Sequence, residues 1–112
     1  MLINLYRDQA RRAKTSAQKS LLVVDDYPEM REMIRVMLKD NGYGNVILAD
    51  CGNKALRMIE SNPVSIVITD WTMPNMTGIE LLSRLKSDPN YFTLPVIMIS
   101  DERDSAKVLY AA

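Results

Sequence analysis

Two stretches of the chain end an apolar run on carboxylates. The segment "SIVITDWTMPNMTG" (65–78) reads as a buried strand that stops at Asp70, and "LLVVDDY" (21–27) as another that stops at Asp25 and Asp26. A third run, "LPVIMIS" (94–100), stops at Ser100, with Asp101 after it. A single Asp at a strand end is ordinary turn and helix-cap chemistry. Several carboxylates and a hydroxyl at one sheet edge mean something else, because carboxylates that close repel, raise one another's pKa, and stay ionised only with a cation among them. Such oxygen donors suit Mg2+, which accepts one or two carboxylates, a carbonyl and retained waters in an octahedron. An Asp beside Mg2+ can act as a nucleophile toward phosphorus and form an aspartyl-phosphate. The metal screens the approach of two anions and takes up charge on the transferring oxygens. A Ser hydroxyl at a neighbouring strand end is placed to hydrogen-bond the phosphoryl group once attached.

Whether these ends meet depends on the elements that carry them. "LLVVD" has both faces apolar, as a central parallel strand must. "YPEMREMIRVMLKDNG" sets Met30, Met33, Ile34, Met37 and Leu38 on one helical face, has Pro28 in its first turn and stops at Asn41-Gly42. "NVILAD" is a second strand, "NKALRMIES" a second helix, and Asn62-Pro63 the turn before the strand "VSIVITD". A third helix is expected over about 77–87 with Ile79, Leu82 and Leu85 on its face, "LPVIMIS" is a fourth strand, and "SAKVLYAA" is expected to begin a fourth helix. The alternation βαβαβαβα implies a parallel sheet with right-handed crossovers and helices on both faces. In such sheets ligands sit beyond the carboxyl ends of the strands, near the point where strand order reverses. Every chemistry-bearing residue named above lies at such an end.

At 112 residues the chain has the size of one domain. Residues 1–19 form a basic extension with Leu2, Leu5 and Tyr6 at helical spacing, expected as a short helix and polar linker, and residues 20–112 form the domain. The net charge is +0, with 14 basic and 14 acidic residues, so no global field draws nucleic acid or an anionic membrane, and neither is an expected partner. No apolar run approaches the ~20 residues of a membrane span, and the expected compartment is the cytoplasm. With no His, imidazole catalysis and His metal ligation are excluded, and with a single Cys51 a zinc or copper site is not expected. The eight Met residues are expected mainly as core fillers, and Trp71, next to Asp70, either as a reporter of the site or partner contact or as partial surface packing.

At these residues the chain resembles the receiver domains of two-component response regulators, those of the chemotaxis type above all. The matching segments are "LLVVDDYPEMREMI", "DWTMPNMTGIELL" and "LPVIMIS", within a span from residue 21 to 112, and their joint occurrence is specific. The resemblance implies an α/β, three-layer, flavodoxin-like (CheY-like) parallel sheet with strand order 2-1-3-4. It implies that Asp70 accepts a phosphoryl group from the phospho-His of a sensor histidine kinase. Asp26, Asp70 and the backbone carbonyl of Thr72 would ligate Mg2+, with Asp25 helping through water. Ser100 resembles the switch hydroxyl that follows the phosphoryl group, Pro74 and Gly78 shape the loop after the phosphoacceptor, and Thr72 and Glu102 match positions that tune dephosphorylation. Phosphorylation would alter binding to an output protein or domain that the sequence does not identify.

A complete receiver has a fifth strand ending in a phosphate-pairing Lys, then a fifth helix, and these are expected to be missing here. Lys107, in the segment expected as helix, is not expected to replace that Lys. The alternative expectation is therefore a phosphorylation-impaired interaction or assembly fragment of the same fold, able to self-associate through an exposed fourth-strand edge. A Mg2+-dependent phosphohydrolase would need a general acid, nominally Asp101 or Glu102, and a substrate lid. No lid-like insertion is visible, and an enzyme is not expected.

Overall fold

The computed structural model describes residues 19–99 and 108–111. In chain order the elements are β1 (Ser20–Val24), α1 (Pro28–Asp40), β2 (Val46–Ala49), α2 (Gly52–Ser61), β3 (Val64–Asp70), α3 (Gly78–Lys86), β4 (Val96–Ile99) and β5 (Val108–Ala111). The strands form one sheet in the order β2-β1-β3-β4-β5. The first four are mutually parallel, as expected, and β5 runs antiparallel along β4. The chain moves from β1 to β2 in one direction and from β2 through β3 to β4 in the other. Right-handed crossovers therefore send α1 to one face and α2 and α3 to the opposite face, and strand order reverses between β1 and β3.

Local chemistry accounts for the element ends. Pro28 opens α1, where its missing N–H has no partner to lose. The helix closes with the Tyr43 N–H on the Leu38 carbonyl and the Gly42 N–H on the Lys39 carbonyl, both at 3.0 Å. Gly42 takes φ 91°, a left-handed conformation that a side chain would disfavour, so the pair of bonds and the glycine together terminate the helix. At α3 the Thr77 hydroxyl accepts the Glu80 N–H at 3.2 Å and caps the first turn.

Every residue of β1 is buried, which a central strand covered on both faces requires. One cluster gathers Leu22 and Val24 of β1, Val67 of β3 and Val96 of β4 with Ala55 and Ile59 of α2 and Leu81 and Leu85 of α3. Strand alternation turns Leu21 and Val23 to the other face, under α1. That helix packs less completely. It has no buried residue, with Met30, Ile34 and Leu38 half-buried while Met33 is 50% and Met37 56% exposed. The expected five-residue stripe of α1 thus splits in two, and of the Met residues only Met73, Met76 and Met98 are core among the described ones.

Two further expectations change. In α3 the buried apolar face is Leu81 and Leu85, with Leu82 half-buried, whereas Ile79 is 43% exposed. The segment expected to begin a fourth helix contributes β5 instead, in the register Ile99–Val108 to Val96–Ala111. The physical reason is competition: Val108 and Tyr110 are good strand formers, and the outer edge of β4 offers a full row of backbone partners. An antiparallel neighbour needs no long crossover to reach that edge. The edge of β4 is consequently not the exposed, self-associating edge expected from the sequence. Residues 1–18 of the N-terminal segment and Lys107 lie outside the described residues, and among those described no helix is long and apolar enough to cross a membrane.

The α3 assignment is directly testable. Leu81→Ala should cost about 2–5 kcal/mol of unfolding free energy by urea titration, as for a fully buried Leu. Ile79→Ala should stay within about 0.5 kcal/mol of the parent.

Candidate functional site: an acidic cluster at the switch between β1 and β3

The parallel register places the carboxylates. Val24 of β1 pairs with Thr69 of β3, so Asp25 and Asp70 follow side by side at the same sheet edge, and Asp26 comes one residue later. Each of Asp25, Asp26 and Asp70 offers a carboxylate oxygen, and these atoms all lie within 4.8 Å of one another. Asp25 is 4% and Asp70 2% exposed, while Asp26 is half-buried. Charges of one sign this close, this little hydrated, repel strongly.

The main chain around them is held on several sides. The Asp25 N–H donates to the Ala49 carbonyl at 3.1 Å, and Asp25 Oδ1 accepts the Tyr27 N–H at 2.9 Å, an Asx-type turn that leads into α1. On β3, the Thr69 hydroxyl donates to the Asp70 carbonyl at 3.1 Å, and the Trp71 N–H donates to the Ile99 carbonyl at 3.1 Å. Gly78 then brings the start of α3 down onto this strand end, its N–H on the Trp71 carbonyl at 2.9 Å. A Cβ at position 78 would collide with the Asp70 carbonyl oxygen, so the close approach requires glycine. Between Trp71 and Gly78 the loop is pinned by two buried side chains, Met73 and Met76. Met76 fills the space that a side chain on Gly52, the first residue of α2, would occupy. At the loop tip the Met76 N–H reaches back to the Pro74 carbonyl at 2.8 Å around Asn75, whose φ is 70°.

The structure therefore brings together Asp25, Asp26 and Asp70 and sets Thr72 two residues beyond Asp70, exposed at the start of the anchored loop. Ser100 and Glu102 lie outside the described residues. Trp71 sits at the rim, 36% exposed. Cys51 caps the start of α2, half-buried, and takes no part in the cluster. Sequence reasoning missed Arg31, whose Nη1 donates to the Asp25 carbonyl at 2.7 Å. No side-chain pattern in the sequence marks it, because its partner is a backbone carbonyl.

The donor set fits a hard cation. Asp26 Oδ1 is buried without a hydrogen-bond partner among the described residues, and an orphaned carboxylate oxygen beside two more carboxylates is what a small divalent ion satisfies.

Fold and site together define an α/β module, its first four strands parallel, with an acidic cluster at its topological switch point. The chain belongs to the response regulator receiver domain family, whose model matches residues 21–112. The chemotaxis protein CheY of Pseudomonas aeruginosa is 40% identical over 92 residues, covering 82% of this chain and 74% of that protein. Chemotaxis protein CheY-3 of Vibrio cholerae is 39% identical over 92 residues, covering 82% of this chain and 71% of that protein. Among solved structures, the N-terminal domain of a response regulator receiver protein from Methanoculleus marisnigri aligns with a TM-score of 0.68 at 35% identity, covering 73% of this chain and 66% of that one. The chemotaxis response regulator CheY4 of Vibrio cholerae aligns with a TM-score of 0.66 at 32% identity, covering 73% and 68%.

The like-charge cluster predicts a sign. In chelator-containing buffer, Asp26→Asn should raise the unfolding free energy by on the order of 1 kcal/mol, because it removes repulsion and no cation is present to lose. Denaturant titration of the two metal-free proteins checks this.

Proposed function

We propose that this receiver domain takes a phosphoryl group onto Asp70 from the phospho-His of a sensor histidine kinase. Asp26, Asp70 and the Thr72 backbone carbonyl hold Mg2+, with Asp25 acting through water. When bound, Mg2+ neutralises the cluster and takes up charge on the transferring phosphoryl oxygens. A carboxylate oxygen of Asp70 forms the new bond to phosphorus as the bond from phosphorus to the His nitrogen breaks, and the imidazole leaves with that electron pair. Asp70 suits this part because its backbone is fixed by the Thr69 hydroxyl, the Trp71 ladder bond and the packing of Gly78. Its side chain thus meets an incoming phosphorus without reorganisation of the strand. Ser100 follows the attached phosphoryl group, Thr72 and Glu102 tune its hydrolysis, and the change is read by an output protein or domain in the cytoplasm. The chain acts as a signalling module and not as a turnover enzyme.

The observation that carries this reading is the convergence of three carboxylates at the β1/β3 switch point, with Asp26 Oδ1 left for a cation.

Incubation with a small acyl-phosphate donor and Mg2+, followed by intact mass, should add one phosphoryl group to the parent chain and none to Asp70→Asn. Asp26→Asn should slow the reaction by more than about tenfold. Trp71 fluorescence should respond to Mg2+ in the parent chain. No adduct on the parent chain, with the Mg2+ response intact, would assign the phosphorylation-impaired reading instead.

A further inference from the structure

Arg31 is the fourth residue of α1, its N–H bonded to the Tyr27 carbonyl at 3.1 Å. Its side chain turns back toward the helix start, as long helical side chains do, and Nη1 donates to the Asp25 carbonyl at 2.7 Å. That is a short, charge-assisted bond. The acceptor matters more than the distance. The Asp25 carbonyl and the Asp26 N–H belong to one planar peptide unit, so whatever orients the carbonyl also orients the backbone that carries the Asp26 side chain. Asp25 is otherwise anchored through its N–H to Ala49 and through Oδ1 to Tyr27, and Arg31 supplies a third point on the side nearest Asp26. A cation near a helix N-terminus opposes the helix dipole, and the neighbouring carboxylates offset that cost.

We propose that Arg31 is a positioning residue of the metal-binding loop: by holding the Asp25–Asp26 peptide plane it sets the Asp26 carboxylate for a divalent cation. This rests on the reading above that Asp26 holds Mg2+. The guanidinium holds the loop backbone, so it would act as an outer-sphere partner, a kind whose removal typically weakens metal binding by about 10–100-fold.

The experiment titrates MgCl2 into the full metal-free chain, read by Trp71 fluorescence and by thermal shift. The parent, Arg31→Ala, Arg31→Lys and Arg35→Ala are compared, with circular dichroism as the check on fold. Arg35 is the control because it lies one turn further along α1 and pairs with Glu32. Arg31→Ala should raise the apparent Kd for Mg2+ on the order of tenfold, Arg31→Lys should recover part of the loss, and Arg35→Ala should match the parent. In the metal-free chain the Tyr27 amide should exchange faster in Arg31→Ala than in the parent, a change that needs no metal to be seen. If Arg31→Ala loses its helical signal, Arg31→Gln, which keeps a donor without the charge, is held to the same Kd criterion. A folded Arg31 variant that binds Mg2+ as tightly as the parent overturns the proposal while the site reading stands. Tighter binding also overturns it and leaves Arg31 a purely repulsive charge. A parent chain silent to Mg2+ in both readouts overturns the site reading and this role together.

Discussion

Like charge at short range is the constraint around which the structure is arranged. Asp25, Asp26 and Asp70 present oxygens within 4.8 Å of one another. Unit charges about 4 Å apart repel by roughly 4 kcal/mol at an effective dielectric near 20. Side chains free to choose would separate. They do not, because the positions belong to the backbone: β1 and β3 are parallel neighbours, in register through Val24 and Thr69, and the acids are simply the next residues out. The register in turn is held by packing, since β1 is buried along its whole length and β3 over its last four residues, and a slip would misfit those side chains against the helices. Hydrophobic burial beneath the edge thus sustains an electrostatic conflict at the edge.

The two faces of the sheet share this task unequally. Under α2 and α3 the packing is tight, with Ala55, Ile59, Leu81 and Leu85 closed over Leu22, Val24, Val67 and Val96. The same side fixes the loop after Asp70, since Met73 and Met76 are buried there and Gly78 rests on the Asp70 carbonyl. On the opposite face α1 leaves Met33, Val36 and Met37 exposed. A helix with few buried contacts belongs to the low-stability end of a fold. Asp70 is therefore mounted on the better-packed layer, while Asp26 sits at the junction with the looser one.

Much of this was legible in the sequence, and the reasons it failed elsewhere are specific. Strand ends were readable because apolar β-branched runs stop abruptly on Asp, and α1 because Pro28 and Asn41-Gly42 punctuate it. The face of α3 was not, because in a nine-residue helix carrying apolar residues at 79, 81, 82 and 85 two stripes fit a 3.6 period equally well. Only the position of Leu81 above the sheet decides between them. Residues 108–111 were misread because "VLYA" satisfies a helix and a strand alike, and the deciding partner, the outer edge of β4, is remote from any local pattern. Arg31 escaped notice because a charge on a helix reads as solvent-facing. Its partner is a backbone carbonyl, which carries no side-chain signature.

The same electrostatics bears on the order of events at Asp70. A phosphoryl group brings a charge of about −1.5 to −2, three acceptor oxygens and a steeper conflict with Asp25 and Asp26. A site already overfull of negative charge resists that addition unless a cation precedes it. In the function proposed above, cation binding would therefore precede phosphorylation, since the cluster repels an incoming anion. Once the group is attached, relief must come from what can still move. The Asp70 backbone cannot, since Thr69, Ile99 and Gly78 hold its surroundings. In the proposed function the added charge would then be met at the side-chain end of Asp70, by the cation held beside it and by Ser100.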